Sequence, residues 1–299
     1  MRLLAVVLVL LGTWVNAAYA CSCGAASGGG NFPGIIPQFH QNTIGLRWNH
    51  AGSDVTILTD GRRIARHDYN SVELWVRYYP VRRLQLMLSL PAIFNRKTDR
   101  DVTEGVNGIG DLLLEGRYML ARSSDSSCSP WKHVLLVGGG IKVPTGRHDL
   151  KSGGELISPA LQPGSGSVDF TVNTTYTIRY RQLGMQADFS YRVNLPNRLD
   201  YRYGNRLGSA LQLFYWIRAG RMAILPNAGV FAEYFRKDRQ KDVLKYNSGG
   251  SMIYATSGAD LYYGRIALGF TFRQPVFQKQ AYGEVQSKAS WQLHASVFF

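Results

Sequence analysis

The feature that most constrains the fold is a strict two-residue alternation of side-chain character. Between Val168 and Tyr180, even-numbered positions are mainly apolar or aromatic and odd-numbered positions are polar, without a break over 13 residues. A period of two indicates a β-strand whose two faces meet different environments. Strands of soluble proteins usually have about five or six residues, whereas a tilted strand needs roughly 9–11 to cross a bilayer. The pattern therefore favours a membrane-crossing strand.

The same alternation recurs over most of the chain, and twelve segments are predicted as strands. They are 42–51, 71–80, 83–94, 109–121, 131–144, 167–180, 185–195, 206–219, 222–236, 250–263, 265–277 and 285–299. Short connections alternate with longer polar ones, which are 52–70, 95–108, 145–166, 196–205 and 237–249. Short turns at one membrane face and longer loops at the other are typical of outer-membrane barrels. The predicted fold is all-β, a transmembrane antiparallel up-and-down β-barrel of about 12 strands, with ten or fourteen strands as alternatives.

The first residues predict export. A basic start at Arg2 and an apolar run from Leu3 to Leu11 precede Ala18-Tyr19-Ala20, which is typical of a signal-peptide cleavage site. Residues 1–20 are predicted as the signal peptide, 21–41 as a Cys- and Gly-rich periplasmic segment, and 42–299 as the barrel. No later apolar run is long enough for a membrane helix, so the protein is either soluble and exported or enters a membrane as strands. An even strand count places both termini in the periplasm and the barrel in the outer membrane.

The last strand carries a second export feature. Four apolar residues share its outward face: Trp291, Leu293, Val297 and Phe299. An alternating final strand that ends in Phe resembles the C-terminal assembly signal of bacterial outer-membrane barrels. We therefore expect the barrel-assembly machinery and outer-membrane lipid as partners.

The inward face of the predicted strands is rich in charge of both signs. Its twelve candidate lumen and selectivity residues are Arg77, Arg117, Arg179, Arg192, Arg218 and Arg273, with Glu73, Asp111, Glu115, Asp169, Asp188 and Glu233. Buried charges require partners or hydration, so paired networks are expected. Two interpretations stay open: the pairs fill and brace a narrow barrel, or they line a passage and set its selectivity.

If the lumen is nearly balanced, the net charge of +14 comes mainly from loops and turns. The basic residues in the predicted outer loops are Arg62, Arg63, Arg66, Arg96, Lys97, Arg100, Arg147, Arg236, Lys237, Arg239 and Lys241. They are suited to meet anionic lipopolysaccharide or to attract anionic solutes, and an ordinary solvated loop surface explains them equally well. Nucleic-acid binding is not expected, because no binding motif is present and an exported protein rarely meets nucleic acid.

Three cysteines remain after the predicted cleavage: Cys21, Cys23 and Cys128. The periplasm allows disulfides, and the predicted topology puts Cys128 on the same side as the N-terminus. A bridge from Cys128 to Cys21 or Cys23 is therefore predicted, which leaves one thiol free, acylated or bonded to another molecule. Metal binding by Cys21 and Cys23 is the alternative. It lacks a nearby His, so no metal site is predicted.

Three glycine-containing stretches resemble those of outer-membrane channels of the phenol meta-pathway (phenol-degradation) type. They are Gly108–Tyr118, Gly138–Gly146 and Gln162–Asp169, within a matching core of about 75–280. The resemblance implies a transporter-like barrel that passes small and often hydrophobic solutes. It implies no catalytic residues and no agreed substrate.

The predicted function is passive diffusion of small, often hydrophobic or aromatic solutes through a monomeric outer-membrane channel. The alternative is a structural or adhesion barrel whose lumen is plugged by its own Arg and acid pairs. No enzyme activity and no cofactor are predicted, because the sequence has no G-x-S-x-G elbow and no recognisable Ser/His arrangement. The six histidines are His40, His50, His67, His133, His148 and His294.

Overall fold

A computed structural model of the chain describes residues 40–57, 63–99, 102–123 and 129–299. The predicted signal peptide, nearly all of segment 21–41 and all three cysteines lie outside these residues, as does the predicted disulfide. Within the described residues, no helix has the length and apolar character needed to cross a membrane.

Twelve antiparallel strands form a closed barrel, which confirms the predicted fold class and strand number. They are β1 (Thr43–Ile57), β2 (Arg63–Val81), β3 (Leu84–Asp99), β4 (Val102–Ile109 and Leu112–Arg122), β5 (Trp131–Val143), β6 (Asp169–Tyr180), β7 (Leu183–Asn194), β8 (Arg206–Tyr215 and Ile217–Ala219), β9 (Met222–Phe235), β10 (Gly250–Tyr263), β11 (Ile266–Gln280) and β12 (Val285–Ser287 and Ser290–Phe298). Each strand pairs with its neighbours in sequence, and β1 pairs with β12 to close the barrel. Closure satisfies the backbone groups that a free sheet edge would leave exposed.

The two ends of the barrel differ in their connections. At the turn end, two-residue turns join β2 to β3, β6 to β7, β8 to β9 and β10 to β11. The Phe299 N–H donates to the Asn42 carbonyl over 3.0 Å, so the first and last residues of the barrel also meet at this end. The longer connections after β5, β7 and β9 stand at the opposite end, the loop end.

The strands are longer than predicted at the loop end. Most of the expected loops 52–70 and 95–108 is strand, because β1 stays paired with β2, and β3 with β4, over their full lengths. Alternation weakens there, since polar residues such as Arg66 and Asp68 occupy the outer face beyond the apolar band. A sequence pattern that depends on contrast between the faces therefore ends before the hydrogen-bond ladder does.

This extension also relocates several basic residues. Arg66, Arg96 and Lys97 lie on strands instead of in loops, and Arg63 begins β2. The predicted loop positions hold for Arg147, Arg236, Lys237, Arg239 and Lys241, except that Arg239 begins a two-residue strand within its loop. Arg62 and Arg100 lie outside the described residues.

Outward-facing aromatic residues form two girdles around the barrel. The turn-end girdle contains Tyr78, Tyr118, Trp131, Tyr180, Tyr215, Tyr263 and Phe299, and the loop-end girdle contains Trp48, Phe94, Phe170, Tyr234 and Trp291. Apolar residues, including Leu293 and Val297, fill the band between them. On β6, the eleven residues from Phe170 to Tyr180 cover about 25 Å along the axis of a barrel with strands tilted by about 40°, which matches the hydrocarbon thickness that such barrels cross.

Candidate functional site in the barrel lumen

Glu73 is the centre of one charged group on the inner wall. Its carboxylate lies 2.9 Å from the guanidinium of Arg47 on β1 and also accepts a hydrogen bond from the Ser89 hydroxyl on β3. Both charged side chains are nearly inaccessible to solvent. This ion pair therefore ties three neighbouring strands together on their inner face.

A second charged group stands on β4. Arg117 lies 3.0 Å from Glu115, and the amide of Asn173 on β6 donates to Glu115 over 3.0 Å. These side chains cross β5 at its glycines: a Cβ on Gly138 would come within 2.8 Å of Arg117, and one on Gly140 within 2.7 Å of Glu115. Because the β5 glycines have no side chains, Arg117 and Glu115 have space to lie flat against the barrel wall.

The third group joins all three glycine-containing stretches. The Asp111 carboxylate accepts the Gly146 N–H over 3.1 Å, and the Ser165 N–H and hydroxyl over 2.9 and 2.6 Å. Lys142 lies 3.0 Å from Asp111 and also forms an ion pair with Asp169. Residues from 108–118, 138–146 and 162–169 therefore meet in one network, which we call the clasp (Asp111, Lys142, Gly146, Ser165 and Asp169).

The clasp folds the connection 145–166, which we call the inward loop, toward the barrel interior. Leu161 at its tip is buried, and Asn95 on β3 donates to the Leu161 carbonyl over 3.0 Å. The Gln162 side chain donates to the carbonyls of Leu150 and Ile157 over 2.9 and 3.1 Å, so it bridges the two halves of the loop. The clasp therefore fixes the two ends of the inward loop, and the Gln162 side-chain amide joins its two halves.

A cavity of about 160 Å³ lies between the inward loop and the wall of the lumen. Its lining includes the apolar Pro91, Ile93 and Leu113 on one side and basic groups on the other. Two of these basic residues, Arg192 on β7 and Arg206 on β8, stand directly opposite each other in the strand register. The lumen thus contains a polar chamber at the loop end.

The carboxylates of the lumen pair mostly with cations other than those predicted. Arg206 lies 3.8 Å from Glu233, and the other new partners are Arg47 and Lys142. Among the six predicted basic residues, and within the described part of the chain, Arg117 alone forms an ion pair with a carboxylate. The expected balanced network of those twelve residues is therefore not what the structure contains. The positions of Arg47, Lys142 and Arg206 follow the same inward alternation, so strand parity was the signal that could have identified them.

The remaining predicted charges have neutral partners. Asp188 accepts hydrogen bonds from Thr175 over 2.6 Å and Gln186 over 2.9 Å. Arg273 lies 3.4 Å from the Gln292 amide oxygen and above the ring of Phe231. An additional inward pair that sequence reasoning missed joins His294 to Asp260, with Nε2 3.2 Å from Oδ1.

The turn-end half of the lumen is apolar. One buried cluster, the turn-end cluster, contains Trp75, Phe214, Trp216, Leu225, Tyr262, Ala267 and Phe298. The rings of Trp216, Tyr262 and Phe298 stack in sequence with centroids 6.2 Å apart at each step. Three predicted arginines stand over its indoles as cation–π partners: Arg77 over Trp75, and Arg179 and Arg218 over Trp216.

At the loop end, two connections are joined outside the barrel wall. Tyr201–Arg202 pairs with Arg239–Gln240, which pairs with Val243–Leu244, to form a small three-stranded sheet. The Asp238 carboxylate accepts a hydrogen bond from the Tyr201 hydroxyl over 2.5 Å and another from the Gly204 N–H over 2.7 Å. Burial raises the pKa of the Asp238 carboxyl, although these two hydrogen bonds and the charge of Arg206 oppose the shift.

Comparisons with known proteins were made by sequence and by structure. No family model matches the sequence, and no curated protein matches it. The structure is similar to an outer membrane channel from Pseudomonas putida F1, with 12% identity, 89% of this chain and 100% of that chain covered, and a TM-score of 0.65. It is also similar to the β domain of the Bordetella autotransporter BrkA, with 10% identity, 87% and 100% coverage, and a TM-score of 0.51. The chain therefore has the fold of outer-membrane β-barrels.

Proposed function

We propose that the chain is an outer-membrane channel through which small solutes diffuse down their concentration gradient. The observation that carries the proposal is the contrast between the two faces of the barrel. The outer face is an apolar band between aromatic girdles, while the inner face is charged and encloses a polar chamber. A polar interior behind an apolar, lipid-facing band is what a water-filled passage requires.

The lumen charges support a preference for anions. Arg77, Arg179 and Arg218 face aromatic rings and form no ion pair with any carboxylate in the described residues, whereas most of the acidic groups are held by cations. Unpaired arginines along a passage raise the local concentration of anions.

Conductance of the purified, folded full chain in planar lipid bilayers tests the proposal. We expect discrete conductance steps and, under a KCl gradient, a reversal potential that indicates anion preference. Arg179→Gln should reduce this preference, while Arg221→Gln, an exposed turn residue, should leave it unchanged. A sealed bilayer containing protein that still shows a heat-modifiable band would instead support a structural or adhesion barrel.

We also propose that the channel is of the phenol-degradation type and passes small, partly apolar solutes. The three stretches that carry the resemblance form the clasp, so they share a structural task in this chain. Liposome swelling with a panel of neutral aromatic and sugar solutes tests the solute class. Equal swelling rates for solutes of equal size would contradict a preference for aromatic ones.

Export and orientation complete the proposal: residues 1–20 are a signal peptide, and both termini are periplasmic. The loop end then meets lipopolysaccharide. An epitope inserted at Gly153, in the exposed hairpin of the inward loop, should bind antibody on intact cells. The same epitope at the turn residue Gly220 should not. The reverse labelling would overturn the orientation.

The C-terminal strand is proposed to recruit the assembly machinery. The Phe299 side chain is 64% exposed on the outer face, so its contribution to packing in the folded barrel is small. We expect Phe299→Ala to reduce the amount of barrel in the membrane while the assembled fraction keeps its conductance. Normal assembly of this variant in cells would contradict the role.

A further inference from the structure

Two arginines face each other across adjacent strands in the loop-end chamber. Arg192 and Arg206 are direct register partners on β7 and β8 and both line the cavity. Like charges placed directly opposite destabilise strand pairing. Arg206 has Glu233 at 3.8 Å, but the one hydrogen bond of Arg192 to the described protein is from Nε to the Thr171 hydroxyl, over 3.4 Å. Four of the five guanidinium N–H donors of Arg192 are therefore available to the cavity.

The carboxylates that line the same cavity do not neutralise this pair. Glu73 is bound by Arg47, and Asp111 and Asp169 are both bound by Lys142. Each of them also accepts hydrogen bonds from neighbouring hydroxyl or backbone groups. Arg192 thus forms no ion pair with these carboxylates, and most of its guanidinium donors have no carboxylate partner in the described residues.

The opposite side of the cavity has different chemistry. Pro91, Ile93 and Leu113 on the β3–β4 side, with Pro163 of the inward loop, present an apolar surface. In a barrel of twelve strands, this surface lies four strands away from β7 and β8, so the two surfaces face the cavity from different directions. A volume of about 160 Å³ accommodates a small organic solute. A ligand that satisfies both sides has a charged end and an apolar body.

We infer that this chamber is a binding site for small carboxylates with an apolar or aromatic body. The Arg192 guanidinium binds the carboxylate in a fork, with Arg206 beside it, while the body lies against Pro91, Ile93 and Leu113. The inward loop closes the chamber toward the loop end. This inference rests on the proposed channel function and specifies one class of solute for it.

Isothermal titration of the folded full chain with benzoate tests the site. Benzyl alcohol, which lacks the charge, and acetate, which lacks the body, serve as comparison ligands. We expect benzoate to bind more tightly than either, and Arg192→Gln to weaken benzoate binding by about tenfold with little effect on benzyl alcohol. Arg192→Lys, which keeps the charge but loses the fork, should fall between.

The matched control is Arg221→Gln, which should bind benzoate like the unaltered protein. Unchanged benzoate binding by folded Arg192→Gln, or equal affinity for benzoate and benzyl alcohol, would overturn the site. Bilayer recordings separate this result from the channel proposal. A channel that conducts chloride but is never interrupted by benzoate contradicts the site alone. Benzoate binding by a barrel that conducts nothing supports the site and contradicts diffusion.

Discussion

The two halves of the lumen are stabilised by different interactions. At the loop end, the clasp joins three distant segments through ion pairs and hydrogen bonds, each of which fixes a direction. At the turn end, stacked rings and aliphatic side chains pack against one another in a single cluster. Directional bonds fix one position for a loop, whereas ring packing fills space and tolerates small shifts. On the proposed channel function, we expect the loop end to control which solute enters and the turn end to control the width of the exit.

The same contrast predicts unequal costs when a side chain is removed. Loss of the Asp111 carboxylate from the clasp leaves buried hydrogen-bond donors without an acceptor. Loss of a ring from the turn-end cluster leaves a cavity that neighbouring rings can partly fill. Two substitutions, each with a matched control, test these expectations in order of decreasing effect.

Asp111→Ala should have the largest effect. It removes the acceptor for the Gly146 and Ser165 N–H groups and leaves Lys142 with Asp169 alone. We expect a loss of about 3–5 kcal/mol in the free energy of unfolding, because two N–H groups and one hydroxyl lose their acceptor at about 1–3 kcal/mol each. The inward loop should also be released, which increases single-channel conductance. Urea unfolding of the detergent-folded barrel and bilayer recordings measure the two effects.

Asp149→Ala is the matched control for the clasp. Asp149 belongs to the same inward loop, but its side chain is exposed and lies 3.9 Å from the equally exposed Arg147. We expect a change in unfolding free energy of less than about 1 kcal/mol, as for surface ion pairs in general. Equal losses in the two variants would show that the network around Asp111 does not hold the loop.

Trp216→Ala tests the turn-end cluster. The indole stacks on Tyr262 and supports the guanidinium groups of Arg179 and Arg218. We expect a loss of about 3 kcal/mol in unfolding free energy, at the lower end for a buried aromatic because neighbouring rings can relax. Conductance should rise while benzoate affinity stays unchanged. Tyr215→Ala, on the outer face of the same strand, should leave conductance unaltered, and a similar rise there would contradict the assignment.

The membrane-spanning wall could be predicted from the sequence because its residues repeat one simple rule. The stretch from Val168 to Tyr180 alternates throughout, and its faces point as the alternation requires. The rule fails around Arg66, where polar residues occupy the outer face beyond the apolar band and the contrast between the faces disappears. Strand ends in the membrane are thus encoded locally, whereas strand ends beyond it depend on pairing with a neighbour.

The chamber could be predicted only in part. Strand parity identifies Asp111, Asp169 and Lys142 as inward charges, but the inward loop that brings Gly146 and Ser165 to Asp111 follows a path that no local pattern specifies. Gly146 and Gly164 show the reason: a Cβ on Gly164 would approach the Gly146 carbonyl within 2.4 Å. Such a contact between separate backbone segments depends on the tertiary fold. In the sequence, it is visible only as a glycine at each of the two positions.

The smallest predicted effect is a pH dependence of the small three-stranded sheet that joins two loop-end connections. Burial raises the pKa of Asp238 in the folded protein above its unfolded value, which is about 3.9 for an aspartate. The folded state therefore binds the proton more tightly, so stability is greatest below the unfolded pKa and is lost as pH rises through the folded one. We expect slower amide hydrogen exchange around Tyr201 and Gly204 at pH 4 than at pH 7, after correction for intrinsic rates.

Asp238→Asn is the variant that isolates this effect. Asparagine keeps a carbonyl oxygen for the Gly204 N–H but cannot ionise, so the corrected exchange rates of the sheet should no longer depend on pH. Exchange in the clasp around Asp111 should change less than exchange in the sheet, because the two regions are linked through Asn197, which donates to the Ser165 carbonyl and accepts the Tyr201 N–H. A pH dependence that persists in Asp238→Asn would locate the titrating group elsewhere and would remove the outer sheet from the comparison.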